Sequence, residues 1–213
     1  MLEVVEGGRK IEGRWLWQGL CLKLSGGTIL GLVGASGTGK TQLLRAIAGL
    51  DSLDQGMIKY RDIPLSGWSL PKYRSQVIYL HQRPTMFEGT VEDNLRAVYQ
   101  WEVHRQKRYN RDFTLALLDL WQRPLEFLQK SALQLSGGEA QMVALIRALQ
   151  LEPMVLLLDE CSASLDQETT LRLESAIALW LEQNNQRACI WTSHDPNQIE
   201  RVTNQQLLLS AHG

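Results

Sequence analysis

The 213 residues carry 22 Lys and Arg against 23 Asp and Glu, a net charge of −1, and 44% of them are apolar. That length holds one domain of good size with room for an inserted lobe, and the balanced charge argues against a polyanion-binding protein, whose footprint would be basic. No run approaches 18 consecutive apolar residues, so no membrane span is expected, and Cys21, Cys161 and Cys189, odd in number and without C-x-x-C spacing, fit reduced cytosolic thiols better than disulfides or a zinc site.

The chain opens MLEVVEGGRK, where Glu3 and Glu6 interrupt the apolar core that a secretory signal needs. Strand-like runs then follow at 15–24 (WLWQGLCLKL) and 28–34 (TILGLVG). Directly after the second comes GASGTGKT, Gly34 to Thr41, and directly after that a helical pattern from Lys40 to Leu50. G-x-x-x-x-G-K-[ST] between a strand and a helix is a phosphate-binding loop. Its glycines let successive N–H groups turn inward at a helix N-terminus, where they cradle phosphate oxygens. Lys40 then reaches the β- and γ-phosphates, and the Thr41 hydroxyl is placed to ligate Mg²⁺.

Further strands are expected at 57–62 and 76–80, and helices at Val91–Arg108 and Asp112–Trp121. No convincing strand lies between Gln82 and Leu133, so that stretch reads as a helical lobe inserted into the sheet domain. Within it WEVHRQKRYNR (101–111) is basic and aromatic, the mark of a solvated face or of a surface for lipid head groups or a partner.

LQLSGGEAQM (133–142) opens a helix running from Gly138 to Leu149, with Val143, Ile146, Ala148 and Leu149 as its apolar stripe. Ser136 and Glu139 have capping-box spacing. Two glycines in a first turn cost up to ~1 kcal/mol each, and they leave backbone N–H groups open at a positive dipole end. Next comes MVLLLD (154–159), apolar on both faces like a buried parallel strand, ending in Asp159 and Glu160. Ligands of open α/β sheets bind at such strand ends, so Asp159 is expected to hold the metal and Glu160 to orient or deprotonate an attacking water. A helix at Gln167–Asn184, a strand at 188–193 (ACIWTS) and a strand at 206–210 complete the chain. Strand–helix alternation of this kind predicts an α/β fold with a parallel sheet.

Taken together, GASGTGKT, YLHQRP, LSGGE, VLLLDE, SASLD and TSHD resemble the motifs of ATP-binding-cassette (ABC) ATPases, in that family's order and over nearly the whole chain. The resemblance implies a P-loop NTPase (RecA-like) core with a β-rich N-terminal part. It implies a single domain over 1–213, with 1–82 and 134–213 as sheet core and 83–133 as helical subdomain. It assigns ATP to Gly34, Ala35, Ser36, Gly37, Thr38, Gly39, Lys40 and Thr41, and Mg²⁺ to Thr41, Gln82 and Asp159. Glu160, Gln82 and His194 become the catalytic set. Ser136, Gly137, Gly138, Glu139 and Asp166 would meet an ATP held by a second copy, which implies a head-to-tail homodimer sandwiching two ATP. An aromatic usually stacks on adenine, yet none precedes Trp15, which leaves Arg9 and Trp15 as candidates. Cys161-Ser162 stands where Pro-Thr is usual. Between residues 75 and 170 the chain is most like the FetA (YbbL) type, cytosolic ATPases linked to iron efflux that work on the cytoplasmic membrane face with a separate polytopic permease. No nucleic acid partner is expected. A soluble, non-transport ABC ATPase is the alternative, but no second cassette or long coiled coil is present; a GTPase would need N-K-x-D, which is absent.

Overall fold

The computed structural model describes residues 1–210. Two sheets form its frame. The first is antiparallel and pairs β1 (Leu2–Ile11) with β2 (Arg14–Leu24) on one side and β4 (Gln55–Tyr60) on the other, with the short β5 (Ile63–Pro64) at the edge. The second is parallel, in the order β6 (Val77–Leu80), β7 (Val155–Asp159), β8 (Ala188–Thr192), β3 (Ile29–Val33), β9 (Gln205–Leu208).

The parallel strands divide their side chains between two cores, as a period of two requires. Leu156 and Leu158 of β7 and Cys189 and Trp191 of β8 join one cluster, whereas Val155, Leu157, Ala188 and Ile190 join the other. The second cluster is roofed by α1 (Lys40–Ile47) through Leu43, Leu44 and Ile47, and by the antiparallel sheet through Leu2, Val4, Trp17 and Tyr60. The first packs against α5 (Gly137–Leu149) and α6 (Gln167–Glu182). Each such fully buried leucine contributes about 1.5–3 kcal/mol from apolar surface removed from water.

Among the described residues the inserted lobe holds no strand beyond an isolated Thr90–Ser131 bridge. Its helices are α3 (Val91–Ala97) and α4 (Arg111–Leu120). Leu95, Leu117, Trp121 and Phe127 of the lobe lie in the same core cluster as Met142 and Leu158, so lobe and sheet share one apolar interior.

Three local expectations change. The helix expected over Val91–Arg108 ends at Ala97; single 3₁₀ turns at Val98–Gln100 and Glu102–His104 follow, separated by Trp101 in extended conformation (ψ 138°). Residues 2–11, not read as a strand, form β1, because Leu2 and Val4 are buried in alternation before register shifts at Gly7 and Gly8 break the period. Two short helices, α2 (Leu70–Arg74) and α7 (Pro196–Val202), were also not anticipated.

Candidate functional site

The loop Gly34–Thr41 leaves β3 at its C-terminal end and enters α1. Its curl depends on glycine at two places. Gly39 has φ +91°, and a Cβ there would fall 2.3 Å from Leu16 Cδ2 and 2.8 Å from Trp17 Nε1. A Cβ on Gly34 would fall 2.5 Å from Leu209 O. The loop is therefore pinned between β2 and the end of β9. Gly39 caps α1 with no side-chain hydrogen bond, and the first turn holds no acidic residue. By contrast α3, α4, α5, α6 and α7 all have a side chain accepting at the N-cap. The positive end of α1 is left open, as is that of the five-residue α2, and only α1 opens from the glycine loop, which suits an anion. Lys40, only 7% exposed, donates from Nζ to Gly34 O (2.8 Å) and Ala35 O (3.1 Å).

Beside the loop lies the acidic end of β7. Asp159 is buried, 3% exposed, and Thr41 Oγ1 donates to its Oδ1 at 3.1 Å. Thr192 Oγ1 lies 3.3 Å from the same oxygen, and Tyr79 donates its hydroxyl to Oδ2 at 2.7 Å. Among the described residues no cluster of three or more His, Cys, Asp or Glu is gathered for a metal. A hydroxyl and a single carboxylate side by side at a phosphate loop nonetheless fit Mg²⁺, a hard cation that completes its shell with substrate phosphates and water.

Glu160 follows in left-handed conformation (φ +51°), a strained setting for a residue with a side chain. Its N–H donates to Thr192 Oγ1 at 3.0 Å. The turn sends its carboxylate away from the buried strand toward two polar partners: His194 Nε2 lies 2.6 Å from Oε1, and Gln82 Nε2 donates to Oε2 at 3.1 Å. Gln82, Glu160 and His194 thus come from the ends of three neighbouring strands, β6, β7 and β8, and meet at one point.

The remaining anticipated residues lie elsewhere. Ser136 caps α5 as the spacing predicts: its Oγ accepts from Glu139 N–H (3.2 Å), and Glu139 accepts from Ser136 N–H (2.9 Å). Lys130 Nζ holds Glu139 at 2.8 Å. A Cβ on Gly138 would come within 3.1 Å of Leu165 Cδ2, so this glycine also admits the 162–166 loop within the same chain. Asp166 caps α6, accepting from Thr169 N–H at 2.7 Å, and that bond holds its carboxyl below the usual range. Among the described residues no hydrogen bond joins 136–139 to the phosphate loop. Of the two adenine candidates, Arg9 Nη1 donates to Ser52 O (2.8 Å), and Trp15 lies under the Lys10 ammonium at 4.4 Å. Leu16 and Trp17 are the β2 residues that abut the loop. Cys161, at the departure from Pro, is buried with its thiol raised by desolvation.

Sequence reasoning missed Tyr79 and Thr192. Thr192 was legible as a polar residue ending a buried strand, opposite Asp159 in the register. Tyr79 was hidden in an apolar run, and only the pairing of β6 with β7 puts its hydroxyl on Asp159.

A five-stranded parallel sheet with this loop after β3 and the acidic strand end two strands away defines a P-loop NTPase. The profile of the ABC transporter family matches residues 17–163, and the chain belongs to that family; it is an ABC ATPase. It is 35% identical to the "Probable iron export ATP-binding protein FetA" of Escherichia coli over 80% of this chain and 74% of that protein. It is 33% identical to the "Fe(3+) ions import ATP-binding protein FbpC 2" of Pectobacterium atrosepticum, over 92% of this chain but 56% of that protein. In fold it is similar to MJ0796, an ATP-binding cassette solved as a dimer with ADP and Pi, with a TM-score of 0.82 and 21% identity over 99% of this chain and 94% of that one.

Proposed function

We propose that this chain is the ATP-hydrolysing subunit of a membrane transporter, most like the iron-export type, working as a homodimer against a separate polytopic permease on the cytoplasmic membrane face. The observation that carries the catalytic reading is the convergence of Gln82 and His194 on Glu160, beside the Asp159–Thr41 pair. In this reading the open end of α1 and residues 34–41 bind the phosphates of ATP, with the Lys40 ammonium moving from its own loop carbonyls to the β- and γ-phosphates. Thr41, Asp159 and Gln82 hold Mg²⁺, which when bound neutralises charge on the phosphates. Glu160 takes a proton from the attacking water. Its left-handed turn supports that role, since it aims the carboxylate out of the strand line. His194 and Gln82 fix the two carboxylate oxygens, and so the face presented to water.

Residues 136–139 and Asp166 would complete the site of a second copy, the glycine N–H groups gripping the γ-phosphate. Both helix caps are already formed within the chain, so docking would require no refolding of α5 or α6. The sheet core would comprise 1–82 and 134–213, with 83–133 as the helical subdomain.

Iron and export rest on the likeness to FetA, and relatives named for import are also similar. No helix among the described residues is long and apolar enough to cross a membrane, and in this reading the permease supplies the path. The test is to co-express the chain with candidate permeases, purify from membranes, and follow Fe²⁺ and other metals in inside-out and right-side-out vesicles. ATP-dependent movement of iron out of the cytoplasmic compartment is expected. Stimulated ATPase activity with no permease in the preparation would favour the non-transport reading.

A further inference from the structure

Asp159 is the most heavily bonded carboxylate at the site. Thr41 and Thr192 lie on Oδ1, at 3.1 and 3.3 Å, and Tyr79 alone occupies Oδ2, at 2.7 Å. The two threonine hydroxyls have other duties: Thr41 is the proposed metal ligand, and Thr192 Oγ1 accepts from Glu160 N–H. The Tyr79 hydroxyl has only this bond among those described.

Position explains the contact. Tyr79 sits on β6, level with Leu157 of β7 and therefore two residues short of Asp159, so the phenol reaches forward along the neighbouring strand. Its ring stands edge-on to His81 at 6.0 Å. A phenol facing a carboxylate oxygen at this distance can serve it only as a donor.

We propose that Tyr79 is a positioning residue for the metal-facing carboxylate: by holding Oδ2, it keeps Asp159 Oδ1 turned toward Thr41. This rests on the reading of Thr41 and Asp159 as the Mg²⁺ pair. Without the phenol, Oδ2 of a carboxylate that is 3% exposed loses its donor. A buried acceptor left unpaired is costly, so the group rotates to recover one and takes Oδ1 out of line with Thr41. Residues that orient a ligating carboxylate typically change metal affinity by about 10- to 100-fold when removed.

The test is Tyr79→Phe, which keeps the ring and deletes one oxygen. Made on a Glu160→Gln background to suppress hydrolysis, it should bind ATP in EDTA as tightly as its parent. Its affinity for Mn²⁺ in the presence of ATP, read by electron paramagnetic resonance, should fall by about tenfold. In the chain with Glu160 intact, the Mg²⁺ concentration that half-saturates hydrolysis should rise by a similar factor. Asp159→Asn is the control, and adding Tyr79→Phe to it should cause no further loss of Mn²⁺ affinity, because the phenol acts through that carboxylate. Parental Mn²⁺ affinity in Tyr79→Phe overturns the proposal while leaving the metal reading standing. So does an equal loss of ATP affinity with and without metal, accompanied by a lower melting temperature, since that is the mark of a packing role. Unchanged Mn²⁺ affinity in Asp159→Asn overturns the metal reading itself, and the proposal with it.

Discussion

Lys40 donates to two carbonyls of its own loop, so the ammonium is already desolvated and needs only a short shift to reach a phosphate. Charge-assisted hydrogen bonds are worth about 1.5–3 kcal/mol, so Lys40→Ala should weaken ATP binding by roughly 10- to 100-fold. An equilibrium titration showing parental affinity would refute the phosphate role. Glu160 carries a different prediction. Glu160→Gln retains shape and polarity but loses the base, and turnover should fall by about 10²- to 10⁴-fold while ATP remains bound. Glu160→Gly should lose turnover too. It relieves left-handed strain of about 1–3 kcal/mol against glycine's unfolded-state entropy of about 1 kcal/mol, and the polar contacts it gives up are with the exposed side chains of His194 and Gln82. Calorimetry should therefore find it melting at or near the parent's temperature; a large drop would make the carboxylate a structural prop. At this scale most of the site was legible. Asp159, Glu160, Gln82 and His194 each end a strand or lie just beyond it, where polar residues after an apolar run stand out. Tyr79 was not, because an aromatic inside a buried strand looks like core until the neighbouring strand is known.

The elements divide by whether local pattern or tertiary pairing makes them. α5 is written in its own sequence: the Ser136–Glu139 capping box, an apolar stripe and Arg147 in the last turn all agree. β7 and β8, buried on both faces, are equally clear. β1 is not, since Gly7 and Gly8 shift its register and its strand character comes from pairing with β2 and β4 on either side. The segment after Ala97 fails as a helix because Trp101 turns extended between two 3₁₀ turns, and Tyr99 and Lys107 bond to carbonyls of Gln150 and Leu151 beyond α5. Such contacts lie far off in sequence, where no window of residues can see them. The cap of α5 allows its structural and proposed phosphate roles to be separated. Aspartate caps a helix as well as serine does, so Ser136→Asp should melt like the parent, whereas Ser136→Ala should lose about 1 kcal/mol, or about 2–4 °C. If the glycine N–H groups serve a partner's γ-phosphate, the added carboxylate opposes that phosphate, and Ser136→Asp should be the less active of the two. Parental ATPase rates in Ser136→Asp would leave α5 with a cap and nothing more.

At the scale of the whole molecule, the separation of residues 136–139 from the phosphate loop bears on assembly. The phosphate loop follows β3, while Ser136 opens α5 on the face of the sheet that carries the lobe, and no described hydrogen bond links them. Ser136 and Asp166 are each complete as helix caps, and while Gly138 makes room for Leu165 in its own chain, a Cβ on Gly137 would meet nothing closer than Ser164 Oγ at 3.7 Å, so packing leaves that glycine unexplained. A two-fold head-to-tail pair would resolve this by facing the loop of one copy with α5 of the other, giving an interface that is the same patch seen from both sides. Mixing experiments can decide it. On the Glu160→Gln background, at an ATP concentration above the parent's dissociation constant but below that of Lys40→Ala, Lys40→Ala copies should not pair with one another, since neither loop is then filled. Ser136→Asp copies should not pair either, since neither α5 accepts the phosphate. Mixed, the two variants contain one intact composite site, formed by Lys40 of the Ser136→Asp copy and Ser136 of the Lys40→Ala copy. Differently tagged variants should therefore co-purify with ATP, and only when mixed. Failure of the mixed pair to form, when the unmodified Glu160→Gln chain dimerises, would place both half-sites outside a shared interface.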